Sequence, residues 1–485
     1  MKAAGRRPPL AQRAIRAWST LGPQYLPFAD AASADLPLPR LLRLSLFKFT
    51  LGMTLALMLG TLNRVMIFEL QVSAWLVSLM LALPLLVAPF RAITGFQSDT
   101  HRSALGWKRV PFMWGGTLVQ FFGLAIMPFA LLVLSGGGAV PTPPWVGQAA
   151  AALSFLMIGA GLQTSQTAGL ALATDITPEK DQPRVVALLY VMLLLGMVVA
   201  SLSYGAMLRH FDKVVLIQVI QGAAEVTMLL NIFAVWKQEV RGSAPTKKPE
   251  IARPPFLVAW RQFVHDCPQL LRLLAAIGIG TFAFTLQDVL LEPFGGQVLD
   301  LGVAATTLLT GIMASGAIAS FAIAARRAER GADPIRLGGA GAVIGMFGFA
   351  SIILAAPMAA PALLMIGALL IGFGNGLFSI GTLLRVMALP HKGEHGLALG
   401  AWGAVQATAA GLAMAVAGGI RDGVTSVMAT EQGVLGAATP GAGYVAAYLV
   451  AVAGLLVLLV VLGPLAARSR AEVRPVPFGI AEFPA

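Results

Sequence analysis

The sequence predicts an all-α membrane protein, with twelve transmembrane helices in two six-helix halves of major-facilitator-like arrangement. Three observations carry this. The chain of 485 residues is 57% hydrophobic and only 12% charged, with a mean hydropathy of +0.79, whereas soluble domains carry about 25% charged residues. Its apolar residues form runs close to the roughly 20 residues that a bilayer requires. Its basic residues alternate between the ends of those runs. With both termini assigned to the cytoplasm, 30 of the 34 Lys and Arg residues fall on that side and four, Arg64, Arg209, Lys213 and Arg421, on the other. That is the asymmetry by which cytoplasmic loops hold the basic residues. The formal charge of +12 therefore reads as topology and not as a nucleic-acid footprint.

Residues 1–43 read as a cytoplasmic leader in which Pro, Lys and Arg interrupt any apolar core, so no signal peptide is expected. Within it Leu10, Ala14, Ala17, Trp18 and Leu21 share a face opposite Arg13 and Arg16, the pattern of a short helix lying in the membrane surface; a flexible basic tail is the alternative. The N-terminal half, 44–236, holds spans at about 44–66, 73–93, 110–134, 148–173, 184–207 and 214–236. A Pro-, Lys- and Arg-rich linker follows at 237–269. The C-terminal half, 270–466, holds spans at about 270–291, 303–325, 336–357, 361–384, 396–420 and 443–466, and 467–485 form a cytoplasmic tail. The loops after spans 2 and 8 occupy equivalent places in the two halves, as internal repeats do.

The turn between spans 2 and 3 carries Gly95, Asp99, Arg102, Lys108 and Arg109. A small Gly lets helices approach, and an Asp there can accept from a neighbouring helix N-terminus or pair with an Arg, so the turn is expected to act as a gate. The alternative is a loop that only fixes topology.

Ionisable groups within spans cost several kcal/mol and need a reason. Span 1 ends in Asn63, Arg64 and Glu69; span 7 ends in Gln287, Asp288 and Glu292, the acids being i,i+4 on one face. Spans 1 and 7 are equivalent cleft helices, so Arg64 is expected to bridge to Asp288 or Glu292; otherwise these groups anchor helix ends among headgroups. Gln163, Gln166, Asn375 and Gln406 are the further cleft candidates, with Gln120, Glu225 and Asn231 as additional polar groups within spans. Most such amides are expected to be interhelical hydrogen-bonding groups.

All five His residues lie in or beside loops, so a mid-membrane His ligand to a pigment is not expected; an Mg-porphyrin would need an oxygen ligand. The single cysteine, Cys267, excludes an intramolecular disulfide. No P-loop, metal motif or nucleophile–base cluster is present, and the chain is not expected to be an enzyme.

TLNRVMIFEL (Thr61–Leu70), APFRAITGFQSDTHRSALGWKRVPF (Ala88–Phe112), QDVLLEPFGGQVL (Gln287–Leu299), GLALGAWGAVQATAAG (Gly396–Gly411) and the leader segments Tyr25–Asp30 and Ala34–Phe47 resemble the PucC/LhaA group, the bacteriochlorophyll-delivery branch of the major facilitator superfamily. The resemblance implies an assembly factor that handles or delivers bacteriochlorophyll to light-harvesting antenna polypeptides, in the inner, intracytoplasmic photosynthetic membrane of a bacterium. It implies bacteriochlorophyll as bound or delivered pigment, and antenna polypeptides, with pigment-synthesis enzymes, as partners. Some members carry His after the Leu-Phe pair of span 10, where this chain has Ile380, so a pigment role at that position does not transfer. The alternative is a proton-coupled secondary transporter of a small solute, with Asp288 and Glu292 as the titrating pair.

Overall fold

A computed structural model describes residues 37–86, 107–136, 143–178, 182–239, 261, 264–265, 267, 269–388, 395–435 and 441–469. Gly95, Asp99, Arg102 and the interfacial helix expected in the leader lie outside the described residues.

The N-terminal half comprises α1 (Leu38–Glu69), α2 (Ala74–Leu86), α3 (Val110–Leu134), α4 (Pro144–Asp175), α5 (Gln182–Met207) and α6 (Lys213–Val235). The C-terminal half comprises α7 (Leu270–Gln297), α8 (Val303–Glu329), α9 (Pro334–Ala355), α10 (Pro361–Met387), α11 (His395–Leu435) and α12 (Ala442–Ser469). Among the described residues eleven helices are long and apolar enough to cross a membrane, and α2 is a shorter apolar helix. The protein is thus a multi-pass, all-helical membrane protein.

Several helices extend beyond the bounds of the sequence reading, α1 and α11 among them. The first helix starts at Leu38, with Pro37 as N-cap and Pro39 in the first turn. A proline there removes only an N–H that has no intrahelical partner, so Pro39 opens the helix instead of separating it from a leader. Helix α11 runs for 41 residues, roughly 60 Å at 1.5 Å per residue. It therefore carries Arg421 within its length and not in a loop.

Small residues set the packing. Along α9 and α10, Gly341 meets the Gly374 carbonyl and Gly348 the Gly367 carbonyl, each too close for a Cβ. Gly116 and Gly161 do the same between α3 and α4. Close backbone approach of this kind substitutes for the hydrophobic drive that lipid removes. Amide and hydroxyl groups tie the N-terminal half internally. Gln120 donates to Thr54 Oγ1 at 2.8 Å, Thr50 donates to Asn231 Oδ1 at 2.7 Å, and Asn231 donates to Thr117 Oγ1 at 3.1 Å. These groups are interhelical hydrogen-bonding groups, as their type suggested.

The two halves meet through α1 against α7 and α8, α2 against α11, and α5 against α8. At the end of the bundle remote from the start of α1 and the end of α12, here called the far end, the backbone N–H of Trp75 in α2 donates to Asp422 Oδ2 in α11 at 2.9 Å. Close by, a Cβ at Gly418 would overlap the Ala74 carbonyl.

Candidate functional site at the junction of the first and seventh helices

Neither α1 nor α7 is regular where the candidates lie. In α1 the α-helical stretch ends at Leu55, and π-helical turns follow at Ala56–Leu62 and Val65–Glu69. In α7 the α-helix ends at Thr285, Leu286–Val289 form a 3₁₀ turn, and the helix resumes at Leu291–Gln297. Pro293 explains the second break. A residue at 293 would donate its N–H to the Val289 carbonyl, and proline has none to give. Asn63, 0% exposed, supplies the missing donor from the other half: its Nδ2 reaches the Val289 carbonyl at 2.7 Å.

Arg64 lies beside this contact but does not pair with the span-7 acids. Its Nη1 contacts Glu69 Oε1 at 2.7 Å and its Nη2 donates to the Leu301 carbonyl at 3.0 Å. The guanidinium also stacks over the Phe68 ring at 4.6 Å and rests on Gly296. The expected bridge to Asp288 or Glu292 is thereby corrected: five residues along its own helix, Glu69 takes the charge, because the π turns bring the two side chains together. Arg64 still joins the halves, through the Leu301 carbonyl. Thr61 and Thr307, with hydroxyl oxygens 3.3 Å apart, add a further link.

The two acids differ in burial. Glu292 is 2% exposed and accepts from the Thr310 hydroxyl of α8 at 2.6 Å. Asp288 is half-buried and accepts from the amide nitrogen of Gln287. No Lys or Arg pairs with either acid among the described residues. The Gln287 Oε1 and Asn63 Oδ1 atoms are buried and have no hydrogen-bond partner, as is the hydroxyl of Tyr448 on α12. The structure therefore brings together Asn63, Gln287, Asp288 and Glu292, with Arg64 and Glu69 alongside.

The other candidates lie elsewhere. Gln163 of α4 donates to the Pro84 carbonyl of α2 over a long 3.4 Å, and Gln166 is half-buried one turn on. Asn375 of α10 accepts from Ser379 one turn along the same helix at 3.4 Å. Gln406 is half-buried on α11. In the cluster at α1 and α7, Asn63, Gln287 and Glu292 are buried.

At the near end, Lys108 and Arg109 belong to a capped helix start. The Glu239 carboxylate, just beyond α6, accepts from the backbone N–H groups of Lys108 at 2.7 Å, Arg109 at 3.1 Å and Val110 at 3.1 Å. Arg109 also pairs with Asp175 at the end of α4, at 3.1 Å. A carboxylate at a helix N-terminus is the role the sequence assigned to the turn's own acid; here Glu239 fills it for α3. The start of α1 is tied to the same corner, where Arg40 Nη2 donates to the Gln238 carbonyl at 2.7 Å and the Gln238 amide donates to the Arg40 carbonyl at 3.1 Å.

Sequence reasoning missed several groups. Lys48, 1% exposed in α1, lies over the Tyr190 ring at 5.4 Å; a lone Lys inside an apolar run was the available signal. Glu239 was hidden in a charged linker. On α6, Gln218 and Gln221 were missed; both are exposed, as is Glu225, which the sequence reading singles out, and the three recur at helical spacing on the outer face of a membrane-spanning helix. A shallow groove of about 330 Å³ lies between α3 and α4, lined by Pro111, Phe112, Gly115, Val119, Ala160 and Thr164.

The profile of the family described as PUCC protein matches residues 61–470. A chain named Protein PucC from Rhodovulum sulfidophilum is 54% identical over 421 residues, covering 86% of this chain and 92% of the relative. Another of that name from Cereibacter sphaeroides is 50% identical over 446 residues, covering 92% and 96%. Among solved structures, a bacterial homologue of the human lysosomal transporter Spinster, inward-facing and unoccupied, superposes with a TM-score of 0.66 at 15% identity, over 90% of this chain and 98% of that one. The fold is thus that of major-facilitator transporters.

Proposed function

The chain belongs to the PUCC protein family, and on that footing we propose that it is a light-harvesting assembly factor, handling or delivering bacteriochlorophyll to antenna polypeptides. In this reading it sits in the intracytoplasmic photosynthetic membrane with both termini cytoplasmic, as the distribution of Lys and Arg favours. Bacteriochlorophyll is its cargo. Its partners are antenna polypeptides and, upstream, pigment-synthesis enzymes. It performs no catalysis of its own.

The observation that carries the reading beyond kinship is the polar stripe on α6. Gln218, Gln221 and Glu225 face outward from a helix whose neighbouring exposed residues, Val214, Val226, Leu229 and Phe233, are apolar. Intramembrane charges normally face the bundle interior, because hydrocarbon solvates them poorly. A carboxyl and two amides turned outward suit a second membrane helix that offers hydrogen-bond donors at the same depth, and a membrane helix of an antenna polypeptide is such a partner.

Deleting the gene and recording the absorption spectrum of the membranes tests the function: antenna bands should fall, and the intact gene should restore them while Glu225→Leu restores them only in part. Unchanged antenna bands would overturn the proposal. Proton-driven solute uptake by the purified chain in liposomes, with unchanged antenna, would replace it with the transporter reading.

A further inference from the structure

We propose that Asp288 and Glu292, at the break in α7, form a proton-binding site whose occupancy holds the far ends of the two halves together. The inference is independent of any pigment.

Glu292 is buried and meets a hydroxyl, and Asp288 meets an amide. Every other charged group near them is engaged elsewhere. On α1, Arg64 is bound to Glu69 and the Leu301 carbonyl. On α11, Arg421 is bound to Asp422 at 2.6 Å and to Gln297 Oε1 at 2.6 Å. On α12, Tyr444 donates to Gln297 Oε1 and Tyr448 lies within electrostatic reach of Glu292. Helix α8 brings Thr310 and has no ionisable residue between Val303 and Ala325.

An ionised carboxylate in such a place is an uncompensated buried charge, costing several kcal/mol. A proton removes that cost and needs no cavity. The unpartnered Gln287 Oε1, on the amide that donates to Asp288, is a ready acceptor for the added O–H. Breaks in helices that meet at a repeat interface are also where many secondary transporters place coupling ions. Asp288, the more accessible of the two, exchanges its proton with solvent, and Glu292 holds one deeper. Each carboxylate gains one O–H bond as a hydronium ion gives one up and leaves as water.

The same turn carries the Val289 carbonyl that Asn63 grips. Separating the halves at the far end would remove Asn63 and hydrate the acids, which then release their protons. The closed state thus binds more protons than the open one, so raising the pH favours opening.

The test uses the full chain in nanodiscs, with nitroxide labels on Ser73→Cys and Gly302→Cys in a Cys267→Ser background. Both labelled positions are exposed at the far end, one in each half, and a Cβ at Gly302 meets nothing within 4 Å. Pulsed electron-spin distances should lengthen as the pH is raised. The open-to-closed ratio should climb by up to about tenfold per pH unit for each linked proton. Asp288→Asn with Glu292→Gln, which mimic the protonated pair, should hold the short distance at every pH. A pH-independent distribution in the parent, which requires no altered acid to fold, would overturn the proposal. So would a pH response that survives in the double variant, or a shift driven by sodium at constant pH.

Discussion

Asn63 of the first helix donates to the backbone carbonyl of Val289 in the seventh, at 2.7 Å, and so fills the place left empty by Pro293. The two halves are joined through a hydrogen bond that one half's own sequence makes impossible to satisfy internally. Asn63→Ala should leave a buried carbonyl unpaired and cost about 1–3 kcal/mol. Pro293→Ala, placed in that background, restores an N–H at the right position and should recover part of the loss. Thermal unfolding of the detergent-purified single and double variants checks this, and additive losses would contradict it.

Arg64 and Glu69 form an ion pair at the far end, so their substitutions should couple. Arg64→Ala leaves Glu69 without its cation and also frees the Leu301 carbonyl. Arg64→Ala with Glu69→Ala should be less damaging than the sum of the two singles, by about 0.5–3 kcal/mol. The same cycle run between Arg64 and Glu292 should give near-zero coupling. Unfolding midpoints for the six proteins of the two cycles, which share the parent and Arg64→Ala, decide between the pairings.

Glu239 accepts from three consecutive backbone N–H groups at the start of α3. Glu239→Ala should weaken that helix start by about 0.5–2 kcal/mol. Amide hydrogen exchange should rise at residues 108–113 and stay unchanged in α9 and α10. Glu239→Asp should fall between the two, having the charge but a shorter reach.

The α3–α4 groove separates packing from surface function. A Cβ at Gly115 meets nothing within 4 Å, while one at Gly116 would overlap Gly161 and Ser165. Gly115→Leu should fill the groove with the unfolding midpoint unchanged, and Gly116→Leu should destabilise the half. If the groove contributes to antenna assembly, Gly115→Leu lowers the antenna absorption at constant protein level; equal absorption removes the groove from the function.

Glu225→Leu should raise or leave unchanged the stability of the purified protein, since the carboxyl has no partner within the described chain and leaves a lipid-facing position. In the membrane it should lower the amount of antenna polypeptide that co-purifies. Gln218→Leu with Gln221→Leu should deepen that loss.

Composition and periodicity determined the class of the molecule. Twelve apolar stretches and an uneven spread of Lys and Arg follow from what a bilayer excludes, and that exclusion acts on each segment locally. They gave helix bounds close to those observed at Val110–Leu134 and Lys213–Val235, and they picked out Asn63, Arg64, Gln287, Asp288 and Glu292 as costly residues. They did not determine partners. Arg64 turned to Glu69 because of π turns that no pattern of hydrophobicity marks. Pro293 signalled a break, but only the docking of the other half revealed Asn63 as the group that repairs it. Which face of α6 meets lipid, and hence that Glu225 points outward, depends on how five other helices pack. A segment's apolar content is a property of its own residues; the partner of a buried polar atom is a property of whatever the fold brings beside it.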